Sequence, residues 1–157
     1  VATRLPEEHL ANAARRHHDD AVHLHDDNRL PNADHHYGFA VECALKSLLV
    51  RYLGAEVPPR VPGKPLGRPR IPVQNSKPVY FGHLPGLWSD VAMQLHGRTG
   101  SALAGLLHNS QPFQSWNVDD RYLDGSSVDT TAIADRRTAA HRVLLLHQQA
   151  LIAGVLA

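Results

Sequence analysis

The chain of 157 residues contains one cysteine, Cys43, one methionine, and only 6% aromatic residues. A lone cysteine excludes an intrachain disulfide and a thiolate metal cluster. Its place in an apolar run suits packing as a small hydrophobe, in keeping with a reducing cytosol. An excess of charge of one sign is also lacking. Sixteen Lys plus Arg against fifteen Asp plus Glu leave a formal +1, so no global attraction to nucleic acid or membrane follows, although local basic patches remain open. No apolar run reaches the roughly 18 residues of a membrane span and no secretory core opens the chain, so a soluble cytoplasmic protein with no membrane partner is expected. Glycine-rich phosphate loops, the zinc-protease histidine pair and the hydrolase nucleophile elbow are missing, and no cofactor is implied.

What is present is helical periodicity. With 43% hydrophobic and 20% charged residues, a single domain over 1–157 is expected. A first helix is predicted from about Pro6 to Asp27, with Leu10, Ala14, His17, Ala21 and Leu24 in one narrow stripe and Glu7 and Glu8 in its first turn. The turn "DDNRLPN" ends it. A second helix, about Pro31 to Leu53, carries Ala33, Tyr37, Ala40, Val41, Ala44, Leu45, Leu48 and Tyr52 on one face, and Phe39, Cys43, Leu49 and Val50 outside it. That second set predicts a central helix or one with a partner surface. Residues 54–82 hold seven of the eleven prolines and five basic residues. They read as a long irregular loop or a disordered insertion, with no convincing strand, most simply a surface loop and alternatively a strip for RNA or a polyproline-binding partner.

"HLPGLWSDVAMQL" predicts a third helix with Leu84, Leu87, Trp88, Val91 and Leu95 on one face, and "SALAGLL" a shorter continuation or separate helix. The last helix is predicted from about Asp129 to the C-terminus with a stripe of Ile133, Ala140, Leu144, Leu151 and Val155, Arg137 and His147 falling on the same face. Four or five helices predict an all-α antiparallel bundle centred on the second and last.

One stretch raises the question of a metal. "RHHDDAVHLHDD", Arg16 to Asp27, holds four histidines and four acids. The helix phase places Asp19, His23 and Asp27 at four-residue steps on the face opposite the stripe, spaced like ligands yet turned to solvent, so no metal is assigned there. His17 and Asp20 instead border the buried stripe.

"NADHHYGFAVECALKSLL" resembles the second-helix signature of HEPN domains, in which small and aromatic residues precede Glu, two residues and Leu-Lys. "HHDDAVHL" is similar to that family's first-helix Asp-Ala pattern, "GHLPGLW" to the His-led loop opening its third helix, and "WNVDDRY" to its Arg-Tyr segment. The resemblance spans about residues 10–155 in the family's order. It implies an antiparallel helical bundle, frequently a homodimer. Some members are metal-independent ribonucleases of toxin–antitoxin and defence systems. Others are interaction modules that accompany nucleotidyltransferases.

Active members carry Arg, four to six residues, then His, and "RRTAAH" offers Arg136 and His141. In a continuous helix, five positions rotate by about 500°, leaving these two roughly 140° apart, whereas Arg137 and His141 share a face. A second Arg also follows Arg136 where the family usually has Asn, His or Asp. The resemblance therefore implies a HEPN-like module binding protein, nucleotide or RNA without an intact nuclease site. The alternative is a ribonuclease with His141 as general base and Arg136 or Arg137 on phosphate. Glu42, Lys46, His83, Arg121 and Tyr122 match family positions and imply one polar cluster, ligand-binding or structural, and His17 and Asp20 join the positions of interest. His83 lacks the family's following Asp or Asn. Trp88 and Trp116 could stack on a base or pack the core.

Overall fold

The computed structural model describes residues 4–59, 61–97 and 101–156. The chain is all-α apart from one small hairpin. In order it forms α1 (Pro6–Asp26), α2 (Leu30–Tyr52), β1 (Arg70–Ile71), β2 (Val79–Tyr80), α3 (Gly86–Gln94), α4 (Ala102–Asn109), a 3-10 turn (Val118–Tyr122) and α5 (Thr130–Ala153). Pro6 and Pro31 sit in first turns, where a missing N–H costs nothing. Asp129 caps α5 by accepting from the Thr131 amide at 2.9 Å, and Gly154, at φ 72°, ends it in the left-handed conformation.

Three helices form the frame. The turn after α1, with Asn28 at φ 57°, reverses the chain so that α2 runs antiparallel to α1. Ser47 Oγ of α2 donates to Glu7 O at the start of α1, and His25 near its end meets Tyr37 Oη. Helix α5 runs antiparallel to α1 but parallel to α2. Arg136 meets Asp34, His147 meets Ser47, and Tyr52 Oη donates to Ala150 O at 2.8 Å. The antiparallel bundle expected from sequence thus holds for α1 against its two neighbours and not for α2 with α5. A chain passing through α3 and α4 before α5 returns to the direction of α2.

Helix α2 is central, with Ala33, Tyr37, Ala40, Val41, Ala44, Leu45, Leu48 and Leu49 all fully buried. At about 1.5–3 kcal/mol per large side chain, this face dominates the core. Its second apolar set is used within the chain, since Leu49 is enclosed and Phe39 packs edge-on to Trp116 with ring centroids 5.8 Å apart. Both tryptophans are core residues. Trp88 Nε1 donates to Leu107 O and Ser110 O, which ties α3 to the end of α4, and Trp116 Nε1 donates to Asp34 O.

Gly38 is where the Trp116 indole lies against α2, and a Cβ there would overlap the ring. Trp116 has nowhere to go, because it is stacked on His35 at 5.4 Å and is 1% exposed. Gly38→Ala should therefore destabilise by about 1–3 kcal/mol through overpacking, despite alanine's better helix propensity. Urea titration checks this, and an unchanged or raised midpoint would contradict the close packing.

Two further sequence expectations are corrected. Residues 54–82 do contain strands. Arg70–Ile71 pairs with Val79–Tyr80, and Glu56 bridges to Arg70. Two-residue strands flanked by prolines are too short to show alternation. The buried stripe of α5 is Ile133, Arg136, Ala139, Ala140, Val143, His147 and Ala150. Leu144 and Leu151 lie at its margin, and Val155 is exposed beyond the helix end. The leucines draw the predicted stripe to one side, so that of the two buried polar positions it takes in His147 and leaves out Arg136. No helix among the described residues is long and apolar enough to cross a membrane.

Candidate functional site

Arg136 lies inside the bundle, 6% exposed. Its guanidinium donates to Asp34 Oδ2 at 2.6 Å, to Pro112 O at 3.1 Å and to Ser115 Oγ at 2.9 Å, so three donors are spent on the chain itself. Burial pushes the Asp34 carboxyl up from its ordinary range, and the Arg136 hydrogen bond opposes this. Asp34 Oδ1 and His35 Nε2 are buried with no partner among the described residues, at the wall of a cavity of about 390 Å³ between the starts of α2 and α5. Arg121 also lines that cavity.

His141 is exposed and faces the other way. It stands beside His18 of α1, ring centroids 5.8 Å apart, and Arg137 Nη2 reaches Asp26 Oδ1 at 3.6 Å. Two adjoining hollows of about 420 and 830 Å³ share His18, Asp19 and His141 and make one groove between α1 and α5. Arg15, His23, Arg137 and Arg142 line it further, with Leu144, Leu145 and Leu151 at one end. Burial lowers the His18 pKa, with the neighbouring His141 adding to the effect and Asp19 opposing it, so its imidazole favours the neutral form. Geometry thus separates Arg136 from His141 and leaves Arg137 as the guanidinium beside it. His18 was not singled out from sequence, because its partnership with His141 exists only once α1 and α5 lie antiparallel.

The implied five-residue polar cluster divides in two. Glu42, 4% exposed, accepts from Lys46 Nζ at 3.2 Å, His83 Nδ1 at 3.0 Å and the Leu84 amide at 3.1 Å. This buried carboxylate pins the loop before α3 onto α2. Arg121 and Tyr122 are exposed elsewhere, on the 3-10 turn, the guanidinium lying 4.8 Å from the phenol ring centre and donating to its hydroxyl at 3.0 Å. Burial pushes the Cys43 thiol up to about 11, which keeps it protonated and unreactive.

The histidine-rich stretch divides as its helix phase predicts. His23 and Asp27 are an exposed i,i+4 pair at 3.7 Å. His17 instead meets His36 of α2, Nδ1 to Nδ1 at 3.1 Å, with Asp20 close by. Burial, with Arg16 adding to it, lowers the His17 pKa to about 4, and burial lowers that of His36 as well. Compared with family models, curated proteins and solved structures, the chain matches none.

Proposed function

We propose that the chain is a HEPN-like helical interaction module that takes the phosphate backbone of single-stranded RNA, or a nucleotide, in the groove between α1 and α5. The supporting observation is the composition of that groove. Three guanidiniums, Arg15, Arg137 and Arg142, and four imidazoles, His18, His23, His141 and the largely buried His147, stand with two carboxylates, Asp19 and Asp26. Arginine forks match phosphate oxygens in a bidentate way, and imidazoles offer stacking faces and further donors. Exposed Leu145 and Ile152 on the same helix offer a second copy, or an antitoxin- or nucleotidyltransferase-type protein, an apolar foothold beside it.

Fluorescence anisotropy with labelled single-stranded RNA tests this reading. Binding should weaken with salt, and Arg137→Ala combined with Arg142→Ala should weaken it for every sequence, lowering the salt slope by about 1 for each phosphate contact removed. Binding that is absent, or indifferent to salt and to both arginines, would refute it.

The pairing of His18 with His141 favours a second reading, a metal-independent ribonuclease. In it His141 takes the proton of the attacking hydroxyl and returns it, through the neighbouring His18, to the leaving oxygen as the P–O bond breaks, and Arg137 is the phosphate clamp. The same RNA then reports cleavage, lost in His141→Ala and His18→Ala. Retained binding without cleavage selects the first reading.

A further inference from the structure

The α1–α2 seam holds a group of side chains that the groove does not use. His17 and His36 point at each other with their Nδ1 atoms 3.1 Å apart, and the ligand atoms of His17, His36 and Asp20 all lie within 4.8 Å of one another. Two imidazole nitrogens bound to one zinc ion at about 2.0–2.1 Å, at a tetrahedral angle, stand roughly 3.3 Å apart. The two helices therefore already hold the nitrogen pair at chelating distance. Only the Asp20 carboxylate, an exposed side chain three residues beyond His17 on the same helix, has to close in. The Phe39 ring stands 5.2 Å from His17 and 6.3 Å from His36, which limits how the imidazoles turn.

We propose that His17, Asp20 and His36 form a site for one divalent transition-metal ion of the zinc class, with the remaining coordination position open to solvent. Two imidazoles and a carboxylate suit zinc and its first-row neighbours, and they suit magnesium or calcium poorly, since those ions prefer an all-oxygen set. In the metal-free arrangement Arg16 Nη2 donates to His17 Nε2 at 3.2 Å. The His17 proton then sits on Nδ1 and is shared with His36. Metal binding at Nδ1 moves that proton to Nε2, where it faces the Arg16 guanidinium, so exposed Arg16 has to swing away. Arg16 is thus a built-in competitor of the ion. The exposed His23–Asp27 pair on the far side of α1 provides the control.

Equilibrium dialysis of the full chain against zinc chloride, with the thermal midpoint as a second readout, tests the site. One ion per chain is expected, with a raised midpoint and no competition from excess magnesium. His17→Ala and His36→Ala should each weaken binding by more than the roughly 10–100-fold that loss of an outer-shell partner costs. Arg16→Ala should tighten it, and His23→Ala should leave it unchanged. Helical circular dichroism identifies any variant that fails to fold, and His36→Gln then replaces His36→Ala. Zinc uptake that survives loss of both His17 and His36, or that His23→Ala abolishes, would overturn the assignment. So would the absence of saturable uptake by the wild type.

Discussion

Arg136→Met is expected to cost about 3–5 kcal/mol of stability, the loss typical of a buried ion pair from which one partner is removed. Folded domains hold only about 5–15 kcal/mol in all, so this one change threatens the fold. The cause is what stays behind. Asp34 is 6% exposed, its Oδ1 has no partner among the described residues, and Arg136 supplies the hydrogen bond on Oδ2. The guanidinium also ties down Pro112 O and Ser115 Oγ in the segment that carries Trp116 against α2. Without it nothing of comparable strength opposes the burial that already pushes the Asp34 carboxyl up. Removing the stranded charge should restore part of the loss, so Arg136→Met with Asp34→Asn should be more stable than Arg136→Met alone. Urea unfolding of the two single variants and the double variant measures the coupling. A loss under about 1 kcal/mol for Arg136→Met would mean that the guanidinium does not serve the interior, and would return it to the list of groups free for a ligand.

Acid should be the second large effect, with His147, the more deeply buried of the two histidines lowered to about 4, as one of its sources beside His17. His147 is 4% exposed, and burial first, then the charges of Arg51 of α2 and Arg15 of α1, lowers its pKa from 6.5 to about 4. Ser47 gives its hydroxyl proton to Glu7 O, so His147 Nε2–H donates to Ser47 Oγ at 3.1 Å, and one chain of hydrogen bonds crosses α5, α2 and α1. Because the unfolded chain binds this proton at the higher pH, the stabilisation from neutral His147 is complete above 6.5. It is lost as pH falls from 6.5 to about 4. The whole shift corresponds to about 3 kcal/mol, of which about 2 kcal/mol falls before pH 5, above the range where ordinary carboxylates titrate. Denaturant midpoints at pH 7 and pH 5 read the effect. His147→Gln keeps a donor for Ser47 but cannot titrate, so its two midpoints should lie closer together than those of the wild type. Equal pH sensitivity in the variant would assign the effect to other groups.

Much of the frame was legible because it is local. The 3.6-residue recurrence of apolar letters in α1, α2 and α3 is a property of each helix alone, and the prolines, Asp129 and the Asp-Asn turn mark helix ends through their own backbone chemistry. The expected faces of α2 and α3 are buried as read except at Tyr52, which is half-buried, and the outward turn of Asp19, His23 and Asp27 also follows from phase. Helix α5 is misread at Arg136 because an apolar alphabet cannot tell a buried arginine from an exposed one, whereas His147 does fall on the face expected for it. Each becomes affordable inside only when a partner far along the chain meets it, Asp34 for one and Ser47 for the other. The hairpin at Arg70–Ile71 escaped for a related reason, since its pairing lies between short segments with no period of their own.

By itself the sequence determined which segments are helical, which sides of α1 to α3 turn inward, and that Arg136 and His141 cannot share a face. Tertiary structure alone decided what those side chains meet. The parallel run of α5 against α2 brings Arg136 to Asp34, the antiparallel run of α5 against α1 brings His141 to His18, and the α1–α2 reversal brings His17 to His36. Helix phase is set by bonds within a few residues, whereas these partnerships depend on how whole helices pack. Distances that decide chemistry are therefore created between elements rather than along them.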